Sequence, residues 1–146
     1  MKKSFKGQLQ ADEQQKIRLS TNNGLTGYQI VKFQVVARQP AGVSPEAVVQ
    51  IFKNEQTSVS FDIDFTDPLL LAAIFYENSN SVNDFGGSAI IFDNEIFNQD
   101  IHITCSSTEG PINYYIELEQ VKLSKDEATV ATLKDMRAGP DTNFGP

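Results

Sequence analysis

The residues of this chain that could do chemistry are few and scattered. His102 is its single histidine and Cys105 its single cysteine. A catalytic histidine needs a nucleophile to activate and a carboxylate to orient it. Asp100 lies two residues before His102, on the same face of an alternating run, but no serine or cysteine stands out as its nucleophile. His102 is therefore expected to be an exposed surface side chain. Cys105 shares the inward face with Ile101 and Ile103, which predicts a buried structural thiol. A reactive thiol would need positive charge or a helix N-terminus beside it. Alternation puts His102 and Cys105 on opposite faces of one strand, so they cannot act together.

Oxygen ligands are the next candidates. Asp62, Asp64 and Asp67 sit in the run FDIDFTDP, and Asp93-Asn94-Glu95 forms a second acidic group. Loops carrying such oxygens can hold calcium, and Asp62 and Asp64 fall on one strand face. The spacing matches no EF-hand loop. The plainer reading is a solvated strand face, so no metal is assigned, with Asp62, Asp64 and Asp67 as the candidates should one bind. Phe85-Gly86-Gly87 has neither the glycine spacing nor the Lys-Ser/Thr of a phosphate loop. No C-x-x-C or Cys/His pair suggests zinc. The expectation is no cofactor, no catalytic residue and no enzyme. Phe5, Phe85 and Phe144 lie in terminal or polar segments, where an exposed aromatic can anchor a partner. They are the expected partner-contact residues.

The elements that would position these groups are mostly strands. Ser4–Gln10 reads as a short first strand, and Lys16–Ser20 alternates with Ile17 and Leu19 on one face. Asn23-Gly24 marks a turn. In Tyr28–Ala37, Val31, Phe33, Val35 and Ala37 share a face. Glu46–Phe52 is read as a strand for its β-branched residues, although Ser44-Pro45 before it would also suit a helix start. Val59, Phe61, Ile63 and Phe65 alternate with polar residues and predict another strand. Leu69–Tyr76 is apolar on both faces, so it is a doubly buried strand or a core helix. Ala11–Gln15 and Ser106–Pro111 read as turns. Ala89–Phe92, Ile101–Cys105 and Asn113–Leu123 complete the strands.

Ser124-Lys125-Asp126-Glu127 is a capping box opening a helix to about Arg137, with Val130, Leu133 and Met136 as its apolar stripe. Gly139-Pro140 stops it. The pattern predicts a mainly β protein: an antiparallel β-sandwich or jelly roll of about eight strands with one C-terminal helix. Residues 1–137 would form the domain, and Ala138–Pro146 an extended arm.

Composition narrows the function classes. The chain has 146 residues, long enough for one domain with its own core. Its formal net charge of −7 lacks the basic footprint of a nucleic-acid or anionic-membrane binder. Its longest apolar run, Pro68–Tyr76, is too short to span a bilayer. Met1-Lys2-Lys3-Ser4-Phe5 has no apolar segment behind it, so no signal peptide is expected. A lone cysteine forms no intrachain disulfide and suggests synthesis in a reducing cytoplasm.

The segments IIFDNEIFNQDIHIT, NYYIELEQVKL and EATVATLKDMR resemble small virion structural proteins of marine tailed bacteriophages, and GYQIVKF and LLAAIFYE add to the likeness. The resemblance implies a non-enzymatic, β-rich protein of the virion, made in the host cytoplasm. A capsid decoration protein bound to the major capsid protein is the leading expectation, with a homo-oligomer, a trimer above all. The alternatives are a tail, neck or connector component, or a calcium-dependent carbohydrate-binding sandwich. No nucleic-acid or membrane partner is expected.

Overall fold

A computed structural model describes residues 1–21, 23–42, 45–77, 89–92 and 95–137, with side chains as far as Lys134. Among these described residues, eight strands and one helix follow one another. They are β1 (Lys2–Leu9), β2 (Glu13–Ile17), β3 (Thr26–Ala37), β4 (Glu46–Phe52), β5 (Leu70–Glu77), β6 (Ile90–Ile91), β7 (Ile101–Ser107), β8 (Ile112–Lys122) and α1 (Lys125–Arg137). One sheet has the order β1-β8-β3 and the other β2-β7-β4-β5-β6.

All pairings are antiparallel. The pairs β1–β8, β2–β7 and β4–β5 are nested like a long hairpin rolled on itself, which is jelly-roll order. The innermost link of that roll is split. Ile90–Ile91 adds to β5, while Phe97 forms an isolated bridge to Tyr28 on β3. Two backbone hydrogen bonds of 2.8 and 3.0 Å close the bridge, and the two rings stack at 6.3 Å.

Alternation builds the core. Leu9, Ile17, Phe33, Val49, Ile51, Ile74, Ile101, Ile103, Cys105, Ile116 and Leu118 point between the sheets and are buried. Each large apolar side chain there contributes roughly 1.5–3 kcal/mol. Phe5 packs, partly buried, against this cluster. β3 keeps its alternation only through a bulge between Ile30 and Lys32, which turns Val31 outward to 42 % exposure.

Gly7 faces the ring of Tyr114, and a Cβ there would lie 2.6 Å from the Tyr114 hydroxyl and 2.8 Å from its ring carbons. That ring is held by its hydroxyl donating to Gln15 Oε1 at 3.1 Å. Gly7→Ala is expected to cost about 1–3 kcal/mol, the range for overpacking, read as a lower urea midpoint at unchanged slope.

Several sequence expectations are corrected. β2 begins at Glu13, inside the expected turn, and stops at Ile17. The stop has a cause: Asp100 Oδ1 accepts from the Leu19 and Ser20 amides at 2.7 and 2.9 Å, so those groups leave the ladder. Likewise β7 runs on to Ser107, shortening the expected Ser106–Pro111 turn. Of the two readings left open for Leu69–Tyr76, the doubly buried strand is the one formed, as Leu70–Glu77.

The largest change is Val59–Phe65, which forms no strand. Its polar side chains take the amides a ladder would use. Ser60 Oγ accepts from Asp62 N, Asp64 Oδ1 from Thr66 N and Asp67 Oδ1 from Leu69 N, each at 2.9 Å. Phe61, Ile63 and Phe65 stay exposed.

The helix cap is as expected. Glu127 N donates to Ser124 Oγ at 3.1 Å, and Ser124 N to Glu127 Oε1 at 2.8 Å. The buried face is not. Ala128 and Ala131 pack on Leu123, whereas Val130 and Leu133 are more than half exposed. Asn98 explains this choice. It is buried beneath α1, and its Nδ2 donates to Gly24 O (3.0 Å), Ala128 O (3.3 Å) and Thr132 Oγ1 (2.7 Å). Only a helix face of small residues can come that close.

Candidate functional site

The outward face of the five-stranded sheet carries the polar groups. On β7 these are His102, Thr104 and Ser106, and cross-strand neighbours are Gln14 on β2 and Gln50 on β4. Gln50 is the one polar residue after Glu46 in the otherwise apolar strand EAVVQIF, and Gln14 lies in the polar strand EQQKI. These two glutamines stitch the segment 53–69 over the sheet. Gln14 exchanges two hydrogen bonds with the backbone of Gln56, at 2.8 and 3.0 Å. Gln50 Nε2 donates to Asp62 O at 3.0 Å. Between the stitches lies a cleft of about 120 Å³. Gln50, Phe52 and Thr104 form its floor, and Gln56, Ser58, Ser60, Asp62, Asp64 and Asp67 its walls.

The structure thus brings Asp62, Asp64 and Asp67 to one cleft, from a loop instead of a strand face. Asp64 and Asp67 each commit one oxygen to capping a turn. The Thr66 hydroxyl and amide that hydrogen-bond to Asp64 hold its carboxyl below the usual range. Among the described residues no group of three or more His, Cys, Asp or Glu is arranged to hold a metal ion. Asp93 and Asn94, like Phe85 and Phe144, lie outside the described residues.

His102 is not a surface side chain: it is only 8 % exposed. The segment 53–69 caps its face of the sheet, a cover that strand alternation alone does not reveal. Burial pushes its pKa below 6.5, and Lys16, its cross-strand partner, adds to this. Glu55 and Asp100 pull the other way. A base whose folded pKa is depressed takes up fewer protons folded than unfolded. Stability contributed by neutral His102 is therefore present above pH 6.5 and falls as pH drops below it. Urea midpoints between pH 5 and 7.5 are expected to fall with pH, and His102→Gln should flatten that slope.

Cys105 is fully buried, as its face predicted. Burial, then Asp12 and Glu13, push its thiol up to about 12, which leaves no thiolate at neutral pH. Asp100 is raised by burial and lowered more by hydrogen bonds from Ser20 and Leu19 and by Lys16, and its net shift is downward. It acts as a turn anchor for β2 and not as an orienter of His102.

A second polar link lies nearby. Lys53, buried at the start of the 53–69 segment, places its ammonium 2.8 Å from Glu95 Oε2. It ties that segment to the stretch carrying Phe97 and Asn98. The alternation of the strands marks none of these anchoring roles, since a polar residue inside a strand reads as solvent-facing until something covers it. No helix is long and apolar enough to cross a membrane among the described residues. No protein-family model matches the chain, and no curated protein matches it.

Proposed function

We propose that this chain is a non-enzymatic structural protein of a virus particle, a capsid decoration protein that clamps neighbouring major capsid subunits. The observation that carries the reading is an apolar strip along the outer β5–β6 edge. Phe65 packs edge-on against Phe92 at 5.3 Å. Ile90 lies two residues before Phe92 and opposite Ala73, and Phe75 follows two residues on along β5. Phe65, Phe75 and Ile90 are each about half exposed, and aromatic side chains of this kind supply interface anchors. The sequence resemblance supplies the virion context. Jelly rolls serve as viral capsid domains, a fold-level analogy consistent with that context.

The test is mass spectrometry and cryo-electron microscopy of purified particles. High copy number on the outer capsid surface supports decoration. A few copies at one vertex or along the tail would favour a neck, connector or tail position instead. Absence from the particle ends the virion reading.

A further inference from the structure

The strip does not account for the cleft under residues 53–69. That cleft combines three features. Its walls hold three carboxylates, Asp62, Asp64 and Asp67, with no lysine or arginine among its lining residues. Its floor holds Thr104, 2 % exposed, whose hydroxyl makes no hydrogen bond among the described residues. A nearly buried hydroxyl left open on a cleft floor is a group built to meet something. The volume, about 120 Å³, falls well short of the roughly 300–1,000 Å³ of small-molecule sites. It accommodates a single side chain or sugar, and no cofactor.

Charge decides between these. Three acidic groups and a free hydroxyl are acceptors, and a metal ion has no arranged ligand set here. The match is a planar cation rich in donors, held by several oxygens at once. We infer that the cleft is a socket for an arginine side chain of a partner protein. The guanidinium would sit between the Asp62 and Asp64 carboxylates, with Thr104 Oγ1 accepting from beneath. This inference does not require the virion reading, because any protein partner with an exposed arginine would serve.

The test is titration of the full ¹⁵N-labelled chain with N-acetyl-arginine amide, followed by NMR. Saturable shifts centred on Thr104, Gln50 and Asp62, in the millimolar range, support the socket. N-acetyl-citrulline amide, which is isosteric and neutral, should give none. Asp62→Asn with Asp64→Asn should weaken binding about tenfold or more. Asparagine keeps the turn-capping oxygen, so the loop should hold. Thr104→Val should weaken binding severalfold with an otherwise unchanged spectrum. No response at tens of millimolar overturns the inference. So do shifts produced by neutral methyl glycosides in place of the arginine amide. Much tighter binding of free arginine than of the blocked form would assign the cleft to the free amino acid and overturn the partner source.

Discussion

Asn98→Ala is expected to lower stability by about 2–4 kcal/mol, seen as a reduced urea midpoint with the helix amides losing protection first. The side chain is wholly buried and donates to Gly24 O, Ala128 O and Thr132 Oγ1. Alanine removes these bonds, together with the one that Oδ1 accepts from Gln99 Nε2, and opens a cavity under α1. The loss exceeds that of one hydrogen bond, because Asn98 joins the backbone at Gly24, the stretch after β6 and the helix. Asn98→Asp should be no better, since it sets a carboxylate oxygen against the Gly24 and Ala128 carbonyl oxygens. A cost below about 0.5 kcal/mol for either variant would refute this role.

Glu95→Ala is the second large effect, with an expected loss of about 2–3 kcal/mol. Lys53 is only 4 % exposed at its side chain, and the Glu95 carboxylate lies 2.8 Å from its ammonium. Removing Glu95 takes a carboxylate from the side of an ammonium that water barely reaches. The value sits at the low end for buried pairs because Glu95 itself is a third exposed. Lys53→Met in the Glu95→Ala background should recover most of the loss, since an apolar stem of similar length suits the site. Double-mutant-cycle denaturation checks this. Additive losses would mean that the pair is not coupled.

The second of these effects bears on function because it anchors what surrounds the cleft. Lys53–Glu95 fixes the start of the 53–69 segment, which walls the cleft. Loosening it should blunt arginine binding before the fold is lost, a distinction that NMR at low denaturant can resolve.

The sequence by itself determined the strand-rich sandwich, most strand positions, the helix start and the buried thiol. The period-two pattern of Ile101–Cys105 and Asn113–Leu123 does this directly, because one face of each strand must leave water. The Ser124–Glu127 box works the same way, through bonds spanning three residues. What the tertiary structure decided is what covers each second face. The alternation of Val59–Phe65 looks like a strand, yet side-chain caps from Ser60, Asp64 and Asp67 win, and among the described residues no strand pairs with this segment. That segment then buries His102, Thr104 and Gln50, which period-two reasoning sends to the surface. The helix turns Ala128 and Ala131 inward over Val130 and Leu133 because Asn98, distant in sequence, needs a close approach to its backbone. Local periodicity fixes which residues share a face. Only contacts between segments far apart in the chain fix whether that face meets water.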